Sequence, residues 1–235
     1  MKTMRLDKFL SECGLCTRSE SKVLLKKGAV TVNGEKILKG ETKIDPENDE
    51  ITFKGEKVGY SKFEYYMLHK PAGVVSATED KNDKTVIDLV PKPHAKDIFP
   101  VGRLDKDTEG LLIITNDGET AHRLLSPKKH VDKTYFVRTK GKVTEEDKEK
   151  FKAGVDIGEK DLTFPADLEI LKSGDISESL ITIREGKFHQ IKRMFKSVGK
   201  EVIYLKRLSM GNIKLDESLE KGQCRKLTDE EIKRL

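Results

Sequence analysis

The sequence predicts an α+β fold with a small N-terminal α/β domain, residues 1–58, and a larger second domain, residues 59–235. The first domain shows helical apolar spacing followed by a short alternating segment that is typical of a hairpin. The second intermingles short strands and helices without the regular βαβ period of a doubly wound fold. Between them, residues 55–62 are rich in glycine and lysine and lack apolar periodicity, which predicts a linker.

Composition limits the classes of protein that this chain can belong to. Hydrophobic residues make up 35% and charged residues 37%, and 46 Lys and Arg against 41 Asp and Glu give a net charge of +5. That charge permits a nucleic-acid partner without requiring one. No apolar run approaches the ~20 residues of a membrane span, and charges interrupt the first ten residues, so we expect a cytoplasmic protein without a membrane partner.

The three cysteines predict neither a disulfide framework nor a metal site. Cys13 and Cys16 form a lone C-x-x-C, and Cys224 lies far away in the sequence. A structural zinc site needs four ligands, and no second pair of cysteine or histidine residues has the required spacing. We therefore expect free thiols and no bound metal.

Two short helices are predicted near the N-terminus. The first ends at Gly14, and the second begins at Thr17 with Glu20 three residues later, which is the pattern of a capping box. The buried side of the second helix is assigned to Val23 and Leu24. The apolar residues that give the first helix its spacing are Leu6, Phe9, Leu10 and Cys13.

A small sheet is predicted after the second helix. Residues 29–32 alternate like a strand, Asn33-Gly34 is a strong hairpin signal, and Ile37 resumes on the far side. Residues 44–53 complete the sheet.

A basic stripe follows one side of the second predicted helix. Arg18, Lys22 and Lys26 stand four residues apart, and residues 1–28 carry seven basic and three acidic side chains. Such a stripe suits the regular phosphates of RNA, but an ordinary solvated helix face has the same pattern. The stripe alone leaves both interpretations open.

Residues 3–50 resemble a known RNA-binding module. The opening R-L-D-K at residues 5–8, the arginine after the first turn, the basic second helix and the V-N-G hairpin together resemble the S-four-like domain. The resemblance implies that Arg5 and the Arg18–Lys26 face contact RNA.

The second domain alternates strands and helices. Asn116-Asp117-Gly118 predicts a turn, Lys70-Pro71 ends the first strand, and Thr228 with Glu231 caps a terminal helix. The predicted strands are residues 65–68, 111–115, 133–139, 180–183, 202–205 and 213–215, and the predicted helices lie around residues 121–125, after Thr144, and at 188–198.

The most distinctive segment is the polar loop V-G-R-L-D-K-D-T-E-G-L-L at residues 101–112. It carries Asp105, Asp107 and Glu109 and leads into an apolar strand, which could hold a carboxylate rigidly. From the residues alone, the loop could supply a nucleophile or base, a Mg²⁺ site, or a solvated turn.

A second polar segment, residues 184–195, places Lys192 and Arg193 beside the apolar face of a predicted helix. A cation there could pair with a loop carboxylate and keep it ionised. His189 could be a base, a ligand or a structural residue, and Tyr135 on its strand could simply fill space.

Together these segments resemble the sequence blocks of pseudouridine synthases, most closely the RsuA-type branch. The blocks are H-K-P-A-G (69–73), G-R-L-D-x-x-T-x-G-L-L (102–112), K-T-Y (133–135) and E-G-x-x-H-Q-I-K-R-M-F (185–195). The resemblance implies a catalytic domain with a central antiparallel sheet flanked by helices and a long cleft, and an enzyme without metal or organic cofactor.

The resemblance also implies roles for individual residues. Asp105 would be the essential carboxylate, Lys192 its basic partner, and Tyr135 the residue that stacks on the target base. Substrate-binding positions would be Arg103, which fills the space of a flipped uridine, together with Lys70, Pro71 and Arg193.

The form H-Q-I-K-R-M and the later K-R-L-S-M-G-N-I-K-L look like the enzyme of the small ribosomal subunit, so we expect 16S ribosomal RNA as substrate and partner of a monomer. There are three alternatives: the same chemistry on large-subunit RNA, a non-catalytic RNA-binding protein of ribosome assembly, and a metal-dependent nuclease or phosphotransferase. The last would use Asp105 and Asp107, with Asp88 or Asp117 as a further ligand.

Overall fold

The computed structural model describes residues 3–58, 63–91 and 97–235. The chain forms two compact units and passes from the first to the second between Glu64 and Tyr65. The domain boundary predicted between residues 58 and 59 adjoins residues 59–62, which lie outside the described residues, so it stays a prediction.

The first unit begins with the two predicted helices, α1 (Leu6–Glu12) and α2 (Arg18–Lys26). The capping box is confirmed: Thr17 Oγ1 accepts a hydrogen bond from Glu20 N at 3.2 Å, and Glu20 Oε2 accepts one from Thr17 N at 2.8 Å. The assigned buried side was wrong at Val23, whose side chain is 55% exposed. Leu25 is buried instead, because it lies one turn after the buried Ser21 on the side that faces the core.

Six short strands complete the first unit, and the predicted hairpin is among them. Asn33 and Gly34 both have positive φ, 51° and 84°, as a tight hairpin turn requires. The first part of the predicted linker was wrong, because Glu56–Lys57 pairs with Thr52–Phe53. The sheet order is β3-β2-β5-β6, with β1 paired to β4. The strands are β1 Met4–Arg5, β2 Val30–Val32, β3 Glu35–Lys36, β4 Lys43–Ile44, β5 Ile51–Phe53 and β6 Glu56–Lys57.

The second unit is built on a nine-stranded sheet, which confirms the predicted central and mostly antiparallel sheet. Its order is β11-β12-β10-β13-β9-β7-β15, with β14 paired to β13 and β8 to β9. The strands are β7 Tyr65–Lys70, β8 Phe99–Pro100, β9 Glu109–Thr115, β10 Lys133–Lys140, β11 Asp167–Lys172, β12 Ile176–Ile183, β13 Glu201–Met210, β14 Ile213–Lys214 and β15 Cys224–Lys226. The helices are α3 Gly118–Leu125, α4 Glu145–Ala153, α5 Gln190–Ser197 and α6 Asp229–Lys233.

Strands β9 and β13 run parallel, with Gly110 opposite Arg207 in the register. Gly110 has φ of 105°, and a Cβ atom there would overlap the Arg207 carbonyl oxygen and lie 2.6 Å from its nitrogen. Glycine is therefore required where these two backbones approach each other.

Helix α5 packs on the sheet and on α4, where the rings of Phe151 and Phe195 meet edge to face at 5.1 Å. The helix begins at Gln190, two residues later than predicted, because His189 takes a left-handed conformation with φ of 48°. In the described ranges, no helix is long and apolar enough to cross a membrane.

Candidate active site

The loop before β9 and helix α5 bring a carboxylate and a cation together. Lys192 Nζ on α5 lies 3.0 Å from Asp105 Oδ2 and 2.6 Å from Asp107 Oδ1. The side chains of Asp105 and Lys192 are each 25% exposed, whereas that of Asp107 is 72% exposed. The predicted pairing of Lys192 with a loop carboxylate is thus present, and Asp105 is its more sheltered partner.

The ion pairs keep Lys192 charged. Burial lowers the pKa of Lys192, but the hydrogen bonds and negative charges of Asp107 and Asp105 outweigh burial and leave that pKa raised. At Asp107, burial raises the pKa of the carboxyl group, but the hydrogen bond and charge of Lys192, a backbone hydrogen bond and the charge of His189 together outweigh burial, so this pKa is lowered. The site therefore presents a fixed positive charge to the Asp105 carboxylate at neutral pH.

Lys70 lies beneath the same loop and is fully buried. Its ammonium group donates to the main-chain carbonyls of Pro71 (3.1 Å), Asp105 (3.0 Å), Lys106 (3.3 Å) and Thr108 (2.8 Å). Burial lowers the pKa of Lys70 to about 8, against the opposing charges of Asp107 and Asp105. With no exposed surface, the amine of Lys70 holds the loop that forms the pocket wall, so Lys70 shapes the cleft rather than reacting, and its assignment as a substrate-binding position stays a prediction.

His189 approaches Asp105 from the N-terminal end of α5. Its Nε2 lies 3.5 Å from Asp105 Oδ1, and its ring stacks on that of Phe188 with centroids 3.8 Å apart and planes at 20°. Left-handed φ is unfavourable for a residue with a side chain, so the fold holds His189 in a strained conformation. The sequence left open whether His189 is a base, a ligand or a structural residue. In the structure, its Nε2 contacts the Asp105 carboxylate.

An open pocket joins these residues. Tyr135 lies in its wall on β10, opposite Ile181 of β12, and is 7% exposed. Arg103 is exposed at the same pocket. The lining residues are Arg103, Leu104, Asp105, Thr108, Tyr135, Ile183, Gly186, Lys187, His189, Gln190, Ile191, Lys192 and Leu205. Four of the predicted site residues, Arg103, Asp105, Tyr135 and Lys192, therefore surround one space.

Arg193 is not part of this lining. Its Nη1 lies 2.7 Å from Glu159 Oε1 and donates to the carbonyl of Phe188 at 3.0 Å, and its Nη2 donates to the carbonyl of Ile157. The guanidinium group is occupied by the protein, and the substrate contact expected of Arg193 stays a prediction. Pro71 is half-buried and also lies outside the lining, with its carbonyl on Lys70.

Of the carboxylates in the metal alternative, Asp105 and Asp107 both pair with Lys192, whereas Asp88 and Asp117 have other partners. Asp88 accepts hydrogen bonds from Thr85 N at 2.8 Å, and Asp117 caps α3 and accepts from Tyr65 Oη at 2.6 Å. Across residues 3–58, 63–91 and 97–235, no group of three His, Cys, Asp or Glu side chains is arranged to hold a metal ion.

In the first unit, the side chains of Arg18, Lys22 and Lys26 are all exposed on α2. Arg5 is also exposed and forms an ion pair with Asp7, Nη2 to Oδ2 at 2.7 Å. The basic stripe is thus accessible to a binding partner, whereas the guanidinium group of Arg5 is already paired with Asp7.

Several pocket residues were not predicted from the sequence. Ile183 and Leu205 supply apolar wall, and Lys187 and Gln190 complete the side near α5. Strand alternation could have indicated Leu205. It pairs with Val137, and Val137 lies two residues after Tyr135, on the same face of β10.

Comparison with known proteins agrees with this geometry. Residues 64–197 match the RNA pseudouridylate synthase family and residues 4–51 match the S4 domain. The chain is 50% identical over 232 residues to an uncharacterized RNA pseudouridine synthase of Bacillus subtilis (strain 168), covering 97% of each. It is 43% identical over 230 residues to the ribosomal small subunit pseudouridine synthase A of Vibrio cholerae, covering 97% of this chain and 98% of the relative.

A solved structure described as the crystal structure of pseudouridylate synthase superposes with a TM-score of 0.68 at 40% identity, covering 98% of this chain and 99% of that one. Fold and pocket thus define an RNA-modifying enzyme with an N-terminal RNA-binding domain. More specifically, the chain belongs to the RNA pseudouridylate synthase family, whose members isomerise uridine to pseudouridine in RNA.

Proposed function

We propose that this enzyme converts one uridine of 16S ribosomal RNA into pseudouridine, with Asp105 as its catalytic carboxylate. The observation that carries the proposal is the ion pair of Asp105 with Lys192, 3.0 Å apart in the wall of a pocket that also holds Tyr135 and Arg103. Among the three acids of the loop, Asp105 is the one that lines the pocket. Asp107 is exposed, and Glu109 accepts from Tyr204 and Lys221.

The reaction breaks the N-glycosidic bond, rotates the uracil and joins it to the sugar through carbon. The uridine must leave its stack, which costs a few kcal/mol and calls for groups that receive the base and fill its place. In this proposal Tyr135, which lies in the pocket wall, stacks on the base, and the exposed Arg103 occupies the vacated position. The Asp105 carboxylate, paired with the ammonium group of Lys192 at 3.0 Å, can then act as nucleophile or base on the nucleoside.

The small-subunit substrate is supported by the relatives. The proteins of Vibrio cholerae and Haemophilus influenzae that are 43% and 41% identical are both named ribosomal small subunit pseudouridine synthase A. The S4 domain and the exposed basic stripe of α2 are consistent with an RNA partner. The proposal also includes a monomer that acts on RNA in the cytoplasm.

The test maps pseudouridine chemically along both ribosomal RNAs after incubation with the purified enzyme in EDTA. We expect one new site in 16S RNA with the wild type, none with Asp105→Asn, and the same site with Asp107→Asn, the matched control on the same loop. A site in large-subunit RNA would overturn the substrate. Pseudouridine formation only in the absence of EDTA would favour metal chemistry. No new pseudouridine on either naked RNA or partly assembled subunits would indicate a non-catalytic RNA-binding protein.

A further inference from the structure

Phe188 presents an aromatic ring to solvent at the rim of the pocket. It is 74% exposed, more than any other large apolar side chain in the described part of the chain. The residues on either side of it, Lys187 and His189, both line the pocket. Single exposed apolar residues are common on protein surfaces, so exposure alone assigns no role.

The loop that carries Phe188 is fixed from several directions. The carbonyl of Phe188 accepts a hydrogen bond from Arg193 Nη1 at 3.0 Å, and Lys187 N donates one to Gln190 Oε1 at 3.0 Å. Lys187 Nζ donates to the carbonyl of Asp161 at 2.9 Å. Together with the left-handed backbone of His189, these bonds give the ring a preformed position.

One face of the Phe188 ring is covered and the other is available. The His189 ring stacks on it with centroids 3.8 Å apart, and the same His189 reaches Asp105 through Nε2 at 3.5 Å. A flat group stacked on the free face of Phe188 would extend the stack of the two rings. The rings of Phe188 and His189 would then lie between that group and the carboxylate of Asp105. Arg103 and Lys192 line the adjoining pocket, so the surroundings of the ring suit an anionic, flat partner rather than an apolar protein surface.

We propose that Phe188 stacks on the base of a nucleotide adjacent to the target uridine and thereby contributes to the choice of RNA site. When the uridine leaves the helix, its neighbour loses a stacking partner, and an aromatic side chain held at the rim replaces that contact. The proposal rests on the proposed function and adds a specificity-determining residue to it.

The kinetic test compares wild type, Phe188→Leu and Phe188→Tyr on a synthetic RNA spanning the modified uridine. We expect Phe188→Leu, which keeps an apolar side chain but lacks a ring, to raise KM about tenfold with little change in kcat, and Phe188→Tyr to match the wild type. Leu171→Ala, an exposed apolar residue on the edge strand β11, is the control and leaves both constants unchanged. Removing the base on one side of the uridine raises KM for the wild type but not further for Phe188→Leu.

A second readout does not depend on turnover. An RNA oligonucleotide with 2-aminopurine beside a uridine is titrated with each protein, and stacking quenches its fluorescence. Quenching by the wild type and Phe188→Tyr but not by Phe188→Leu supports the proposal. Equal KM and equal quenching for wild type and Phe188→Leu would overturn it. A wild type that quenches without forming pseudouridine would instead refute the proposed function and leave the stacking contact standing.

Discussion

The buried ammonium group of Lys70 donates a hydrogen bond to the main-chain carbonyl of Asp105 at 3.0 Å. The carboxylate of the same aspartate lies 3.0 Å from Lys192 Nζ. Two lysines thus act on one residue, Lys70 through the backbone and Lys192 through the side chain. A carboxylate held at both points loses little further freedom when the substrate binds, which is how a rigid scaffold contributes to rate.

Replacing Lys70 by methionine tests the backbone half of this arrangement. Lys70→Met keeps the length of the side chain but removes one donor from four main-chain carbonyls. The Asp105 and Lys106 carbonyls keep the main-chain donors Thr108 N and Gly73 N, whereas the Pro71 and Thr108 carbonyls lose the ammonium group as a partner. Unpaired buried acceptors are costly, so we expect the free energy of unfolding to fall by about 2–4 kcal/mol, measured in urea. Lys106→Met is the control, because that side chain is exposed and pairs only with Asp83. Equal unfolding midpoints for the two variants would contradict this role.

Lys192 is expected to matter for rate more than for stability. Its side chain is partly exposed, so Lys192→Met should change the unfolding midpoint little while lowering kcat about 10²- to 10³-fold, the usual effect of removing one electrostatic group from an active site. Lys192→Arg keeps the charge and should recover part of the loss. Turnover rates on RNA measure the loss in Lys192→Met and the recovery in Lys192→Arg. A Lys192→Met enzyme with normal kcat would show that the ion pair has no part in the mechanism.

The sequence predicted much of this site because its blocks carry chemistry in their side chains. Asp105, Tyr135, Lys192 and Arg103 do meet at one pocket. The contacts of Lys70 could not be predicted, since its four partners are main-chain carbonyls, which no residue type reveals. The same holds for Arg193, because two of its acceptors are the carbonyls of Phe188 and Ile157.

In the fold, too, some elements could be predicted from the sequence and others could not. Capping boxes and alternation predicted α2 and β10 well, since these signals are local. The edge strand β11 was missed, because D-L-E-I-L-K is half exposed and lacks clear alternation. The start of α5 was placed two residues too early, because helical spacing continues through His189 although its backbone is left-handed.

Gly110 is expected to tolerate no side chain. In Gly110→Ala, the new Cβ would overlap the Arg207 carbonyl at a φ of 105°, so strands β9 and β13 must separate. We expect a loss of about 3 kcal/mol or more in the free energy of unfolding, and lower activity because β9 continues from the Asp105 loop. Gly118→Ala is the matched control, since nothing lies within 4 Å of the place that its methyl group would take and the residue opens a helix. Thermal unfolding that leaves the two variants equal would exclude the close approach.

The C-terminal helix should make stability dependent on acid pH. Hydrogen bonds from Arg225 at 2.8 Å hold the pKa of Glu231 at about 2, below its ordinary 4.5. Because the folded pKa is depressed, this stabilisation is complete above pH 4.5 and disappears as pH falls toward 2. We expect Arg225→Leu to lose about 1–2 kcal/mol at about pH 6 and to converge on the wild type only as the pH falls below about 2, the folded pKa of Glu231.

Chemical unfolding at a series of pH values follows this convergence. Arg234→Leu serves as control, because its ion pair with Glu230 is exposed and 3.9 Å long, and its curve should follow the wild type throughout. A constant difference between Arg225→Leu and the wild type over the whole acid range would show that the guanidinium stabilises the C-terminus by packing and not through the titration of Glu231.

The basic stripe of α2 should set the salt dependence of RNA binding. Each phosphate neutralised by a cation releases counterions, so the slope of log K against log salt counts these contacts, at about 0.7 per phosphate for single strands. The double variant Arg18→Ala with Lys22→Ala removes two exposed cations of the stripe. We expect weaker binding and a slope reduced by about 1.4. Lys148→Ala with Lys150→Ala on α4 removes the same charge from side chains paired with Glu145 and Glu146. If both double variants lower the slope equally, net charge governs binding; if neither does, the stripe is a solvated helix face.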